Sequence, residues 1–256
     1  MKPRSFRAFS LLELLVSVAV IVVLLGLLLP LLIRARDLSY QTVCANNLRQ
    51  LNAGWQAYLQ DHKEQFPRHG MVPDWAYGGA EFVGADRVPV LAASRPINPY
   101  VAQAQPDDAL GAAAADVVGL FRCPADAGVA DRAPALRGQA RPSILPAGTC
   151  FNQFGTSYRA NPYLLDSTLA GIDGGRRALT LSEIQVDPSR LLLTADPAWW
   201  YATRERREPE ARLEATWHKK TDAGNMLAVD GSIRFMEFAK WPGAEFALNP
   251  RPDLGN

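Results

Sequence analysis

Cysteine is scarce in this chain: three among 256 residues. So few exclude a fold held together by a disulfide framework. Charge of one sign is also missing. Lys+Arg number 27 and Asp+Glu 26, a formal net charge of +1. That balance argues against a globally basic nucleic-acid binder and against a long acidic tail, so no nucleic-acid partner is expected. There is no glycine-rich phosphate loop. Residues 171–175 read Gly-Ile-Asp-Gly-Gly, a turn-like cluster without the following Lys-Ser/Thr. No internal repeat and no spaced Asp/Asn loop of the EF-hand kind occur. Long apolar runs are absent after Arg34, which excludes a multi-span membrane protein. What remains is ample apolar side chain, 48% of residues against 21% charged, enough to build a core and to exclude bulk disorder. Gly and Pro, 19 each, point to a loop-rich body. The length suits one domain with an appendage.

The appendage is N-terminal. Residues 14–33 carry no charged side chain. As a helix rising about 1.5 Å per residue they would span roughly 30 Å, the thickness of a bilayer core. Lys2, Arg4 and Arg7 precede this run, and Arg34 and Arg36 follow it. That is a weak positive-inside bias for the leader. A secretory signal peptide would have a shorter apolar region and a small-x-small cleavage site, which residues 28–33 do not offer. A plain anchor fits the length but leaves Glu13 without a reason. A carboxylate deep in lipid costs about 2.5–3.5 kcal/mol on insertion scales, so such a residue needs a partner and is a functional candidate.

The segment Ala8-Phe9-Ser10-Leu11-Leu12-Glu13-Leu14-Leu15-Val16 resembles the class III signal of type IV prepilins and type II secretion pseudopilins. The resemblance implies a leader of residues 1–8, cleavage between Ala8 and Phe9 on the cytoplasmic side by a prepilin peptidase, and N-methylation of Phe9 by the same enzyme. Glu13 stands fifth counting from Phe9, the family's assembly position. Its implied partner is the N-terminal amine of a neighbouring subunit. Pro30 sits where the family tends to have a helix-loosening proline. Ala8 stands where the family usually has glycine.

Beyond the apolar run, Leu48, Leu51, Trp55 and Tyr58 follow helical spacing and form one apolar stripe. Phe66-Pro67 marks a stop. A single helix is therefore expected from about Phe9 to about His62, its first half in lipid and its second half on a globular domain. Residues 44–51, Cys-Ala-Asn-Asn-Leu-Arg-Gln-Leu, with Tyr58, Asp61 and Phe66-Pro67, resemble the start of large pseudopilin-like proteins found in many copies in planctomycete-type bacteria. Residues 121–126, 157–161 and 188–193 carry further matches, as does a terminal His…Asp-Gly element resembling H-X9-DG. Here His218 and Asp230 are separated by more residues than that pattern has.

Strand signals cluster late, at residues 190–194, 226–229 and 232–236, the last two flanking Asp230-Gly231. An Asp-Gly pair between apolar runs predicts a hairpin with a type I′ turn. Residues 101–116 read as a surface helix or loop and 124–148 as an irregular loop. The mixed charges of 204–214 read as a solvated excursion.

Candidate chemistry is thin. His218, Asp230 and Asp196 are weak candidates for a metal or polar cluster. The turn already explains Asp230, so the expectation is a buttress, with no metal and no cofactor. Some pseudopilins bind calcium in their C-terminal loops, so calcium is considered, although it wants about six to eight oxygens. A Cys-His-Asp enzyme would draw on Cys123 or Cys150 with His218 and Asp196, and no local motif supports it. Zinc on His62, His69 and Cys123 lacks the usual ligand spacing. In an extracytoplasmic domain two cysteines can pair. Cys123 and Cys150 flank one loop and are the expected pair, with Cys44 left on the helix. Trp199, Trp200 and Tyr201 form either a plug over the sheet or an exposed contact.

The expected protein is α+β and pilin-like: a leader (1–8), a transmembrane assembly helix (9–33) and a periplasmic globular domain (34–256) with an antiparallel sheet. The resemblance implies a non-enzymatic subunit of a pilus or type II secretion pseudopilus in the inner membrane. Its implied partners are the prepilin peptidase/N-methyltransferase, other pilin subunits, the secretion assembly platform and the membrane. The alternative is a membrane-tethered binding domain that never polymerises, with residues 199–201 as its contact.

Overall fold

The computed structural model describes residues 11–68, 73–83, 89–101, 119–128, 148–166, 169, 177–207, 216–238 and 245–252. The chain divides into two units, Met1–Ser39 and Tyr40–Asn256. In the first, the described residues form the opening part of helix α1 (Leu11–Asp61). Leu, Val and Ile supply nearly all its side chains up to Ile33, and these are exposed. Pro30 lies inside the helix, removing one backbone donor without ending it.

In the second unit α1 continues, and its buried residues all fall here: Cys44, Asn47, Leu48, Leu51, Gly54, Trp55, Tyr58 and Leu59. The expected stripe is thus buried as a whole. The helix stops where Lys63 and Glu64 turn to positive φ, 54° and 60°. The Glu64 amide then donates back to the Leu59 carbonyl at 2.7 Å, a left-handed C-terminal cap made without glycine. Short elements follow: α2 (Pro73–Ala76), strands β1 (Phe82–Val83) and β2 (Pro89–Val90), α3 (Asn98–Val101) and α4 (Cys150–Phe154).

The main sheet is antiparallel, in the order β3 (Arg159–Ala160), β4 (Leu192–Ala195), β7 (Ala223–Ala228), β8 (Ile233–Glu237). Between β4 and β7 lie a helix, here α6 (Ala198–Arg207), preceded by α5 (Pro162–Leu165), and a small hairpin, β5 (Thr216–Trp217) and β6 (Lys220–Thr221). Every residue of β4 and β7 is buried, so both strands are covered on both faces. Asn225 Nδ2 reaches the Gln41 carbonyl at 3.4 Å and Gln56 Nε2 reaches the Val229 carbonyl at 3.5 Å. The globular part of α1 therefore runs along β7. Trp55, Trp199, Trp217, Tyr77, Tyr158, Phe66 and Phe121 fill the core. The α+β, pilin-like arrangement expected from the sequence is the one observed.

The β7–β8 hairpin forms where Asp-Gly predicts it, with a different turn. Ala228 and Ser232 close a three-residue loop, and of its residues only Gly231 has positive φ, 89°. Type I turns followed by a left-handed glycine give this geometry. The type I′ turn lies instead in the β5–β6 hairpin. There Trp217 pairs with Lys220, and both intervening residues, His218 and Lys219, have positive φ, 49° and 59°. Residues 204–207 belong to α6. The rest of that stretch up to 214, most of 101–116 and residues 129–147 lie outside the described residues.

Candidate functional site

Two features bear on function. The first is the start of α1. Glu13 lies in its first turn and is exposed, as are the flanking Leu11, Leu12, Leu14 and Leu15. Ser17 turns its hydroxyl back to the Leu14 carbonyl at 2.9 Å, so the one polar group in this stretch beyond Glu13 is satisfied within the helix. Among the described residues α1 is the one helix long and apolar enough to cross a membrane. Ala8 and Phe9 lie outside the described residues.

The second feature is a buried polar cluster. Cys44 of α1 and Cys123 form a disulfide, with their Cα atoms 5.3 Å apart. This corrects the expected Cys123–Cys150 pair. Cys150 opens α4, is buried and takes no part in the bridge. The reason is the helix face: Cys44 is one turn before Leu48 on the buried stripe, which brings it to the segment that carries Cys123. Against the bridge stand His218 and Asp196. His218 Nε2 is 3.9 Å from Cys123 Sγ and 3.2 Å from Asp196 Oδ2.

Asn225 organises this pair. Its amide donates to Asp196 Oδ2 at 2.7 Å and its side-chain Nδ2 to the same oxygen at 3.2 Å, with His218 Nε2 also 3.2 Å from Nδ2. Asp196 follows β4, and Gly224 of β7 lets it in: a Cβ on Gly224 would stand 2.6 Å from Asp196 Cβ. The negative charge is felt nearby. The Tyr158 hydroxyl is pushed well above its ordinary pKa by burial, then by the Asp196 carboxylate, while Asn47 Nδ2 donates to it at 3.0 Å.

Asp230 is not part of this cluster. Its Oδ1 accepts the Ser232 amide at 2.8 Å, as a turn residue does. The three candidates thus separate: Asp196 and His218 meet, and Asp230 serves the hairpin. Trp199 and Tyr201 are buried in α6, while Trp200 is half-buried and stacks on the Arg159 guanidinium, 3.6 Å from the ring centre. Arg159 in turn forms a buried ion pair with Asp74.

Sequence reading missed three polar anchors. Asp126 accepts from the amides of Gly128, Cys150 and Phe151 and from the Ser157 hydroxyl, all within 2.9 Å. Arg95 is fully buried and donates to the carbonyls of Trp75, Gly78 and Phe154. Burial pulls its pKa down to about 10, with the nearby Tyr77 acting the other way. Asn161 joins the carbonyls of Leu192 and Leu248, tying the C-terminal segment to β4. Asp126 and Asn161 lie in segments 121–126 and 157–161, so their positions were visible in the sequence, although their roles were not.

Residues 3–29 match the family model for the prokaryotic N-terminal methylation motif. The motif marks a precursor of the type IV pilin and pseudopilin kind, which are structural subunits rather than enzymes. It implies processing by a prepilin peptidase and assembly with other pilins. With the single apolar helix, it fits an inner-membrane anchor. The match covers the start of the chain and none of the globular unit. No curated protein and no solved structure matches this chain.

Proposed function

We propose that this protein is a pseudopilin-like structural subunit, held in the inner membrane by residues 9–33 and assembled after processing into a pilus or a type II secretion pseudopilus. The observation that carries the reading is the methylation motif on a helix whose apolar side chains stay exposed up to Ile33, with Glu13 in its first turn. Such a surface suits lipid before assembly and neighbouring helices after it. The periplasm is the proposed home of the globular unit, and the Cys44–Cys123 bridge supports an oxidising compartment. Ala8 and Phe9 flank the cleaved bond. The body's resemblance to the large planctomycete-type pseudopilins rests on residues 44–51 with Tyr58, Asp61 and Phe66-Pro67, and on residues 121–126, 157–161, 188–193 and the His218…Asp230-Gly231 element.

The first test is the mature N-terminus. Mass spectrometry should find a chain that starts at Phe9 and carries one methyl on its amine. An intact Met1 in cells with an active prepilin peptidase would refute processing.

Assembly is tested at Glu13. Inside a filament its carboxylate would meet the Phe9 amine of a neighbour, a pair that water and salt screen little. Only one stagger brings the two together, so the pair would select the register. Glu13→Ala leaves a more apolar segment that still inserts. The variant should be made, processed and membrane-bound, yet give crosslinked ladders several-fold weaker than wild type. Equal ladders would remove the assembly role and favour a tethered domain that does not polymerise.

A further inference from the structure

Four segments far apart in sequence meet at one buried point: α1 through Cys44, the loop at Cys123, the end of β4 through Asp196 and the β5–β6 turn through His218. Two sulfurs, one imidazole nitrogen and one carboxylate oxygen lie within 4.8 Å of one another. The disulfide accounts for the sulfurs. It does not account for an imidazole and a carboxylate buried against it, with side chains 2% and 0% exposed. The atoms that face the sulfurs are His218 Nε2 and Asp196 Oδ2, while Asp196 Oδ1 and His218 Nδ1, buried without a hydrogen-bond partner among the described residues, point elsewhere.

The donor set has a chemistry of its own. Thiolates, an imidazole and a carboxylate in fours suit tetrahedral zinc, whereas calcium and magnesium take oxygen ligands. Zn–S bonds of about 2.3 Å and Zn–N and Zn–O bonds of about 2.0–2.2 Å place neighbouring ligand atoms roughly 3.3–3.8 Å apart. His218 Nε2 stands 3.2 Å from Asp196 Oδ2 and 3.9 Å from Cys123 Sγ, close to such edges. Ligating His and Asp need outer partners to orient them. Asn225 already supplies this for Asp196, with its amide at 2.7 Å.

We propose that the reduced protein binds one Zn²⁺ through Cys44, Cys123, His218 and Asp196, and that metal and disulfide are mutually exclusive states of this site. Reduction takes two electrons and two protons from a dithiol, which closes to its own disulfide as the Cys44–Cys123 bond breaks. Zinc then displaces one proton from each thiol. His218 keeps its single proton on Nδ1 and offers Nε2, and Asp196 ligates as the carboxylate. The disulfide ties Cys44 to Cys123 in oxidising surroundings, and the metal would tie those two and the Asp196 and His218 segments together in reducing ones. The proposal does not depend on filament assembly.

The test uses the full chain in detergent micelles. One sample stays oxidised. The other is reduced with a water-soluble phosphine, which takes oxygen from water to become its oxide as two thiols form. Both are equilibrated with Zn²⁺, freed of excess metal and assayed for zinc and thiols. The reduced chain should hold one zinc and the oxidised chain none. Asp196→Asn and His218→Asn keep both cysteines and should weaken zinc binding at least tenfold in competition with a chelator dye. Should both variants misfold, Co²⁺ decides: the reduced wild type must show a thiolate-to-cobalt band with tetrahedral visible absorption. Zinc on the oxidised chain, no zinc on the reduced chain or wild-type affinity in the variants would overturn the proposal. So would a reduced chain that loses its circular dichroism and does not regain it with zinc.

Discussion

Glu183 shows how much one side chain can do at a loop start. It accepts from the Thr180 amide at 3.0 Å and the Thr180 hydroxyl at 2.9 Å, completing a capping box, and it pairs with Arg177. The Arg177 hydrogen bond, helped by Thr180, holds its pKa down at about 2, below the ordinary 4.5. A carboxylate with a depressed folded pKa stabilises the fold above its unfolded value, and that contribution is lost as pH falls toward the folded one. The window here runs from about 4.5 down to about 2. Arg177 is half exposed, so solvent screens the pair and only about 0.5 kcal/mol is expected from it. Glu183→Gln should therefore lower the full chain's unfolding midpoint in detergent slightly at neutral pH. It should also flatten the acid side of the stability curve within that window. A variant with the wild-type acid slope would show that the pair contributes nothing measurable.

At the scale of elements, periodic features were legible and convergent ones were not. Helix α1 could be read because its apolar stripe repeats and Phe66-Pro67 limits it. The β7–β8 hairpin could be read because Asp-Gly between apolar runs has few other uses. Its turn type could not be. The loop closes at Ser232 rather than one residue earlier, and Gly231 alone takes the left-handed conformation, with its Cα side facing Asn52. The type I′ turn formed at His218-Lys219, residues with no turn signature, because the pairing of Trp217 with Lys220 fixes a two-residue loop. The disulfide was misread for a similar reason. Cys123 and Cys150 look close along the chain, and Asp126 does hold the Cys150 amide at 2.9 Å, but Cys123 is bonded to Cys44. Cys44 continues the stripe of Leu48, Leu51 and Trp55 by one turn, and following that stripe back would have placed it in the core. Asn225 left no signal at all, since its role depends on Gly224 admitting Asp196.

At the scale of the whole molecule, apolar side chains are used in two ways. Up to Ile33 they are exposed, on a stretch long and apolar enough to cross a membrane. From Cys44 onward those of α1 that face inward build a core. No buried residue of α1 lies in the first unit, so the second unit, Tyr40–Asn256, owns its whole set of core contacts and the Cys44–Cys123 bridge as well. Deleting residues 1–39 should therefore remove the membrane-seeking surface and leave the core intact. The bridge closes a loop with a sequence separation of 79, which limits the unfolded chain and favours the fold by roughly 4 kcal/mol. The truncated protein is expected to be soluble, monomeric and cooperative in thermal unfolding, with mixed helix and sheet in circular dichroism. Reducing it without zinc should lower the midpoint by many degrees, since a loss of that size is a large share of a domain's stability. A truncated chain that aggregates or melts without a sharp transition would mean that the globular unit needs the first part of α1 to fold, and the division into two units would fail.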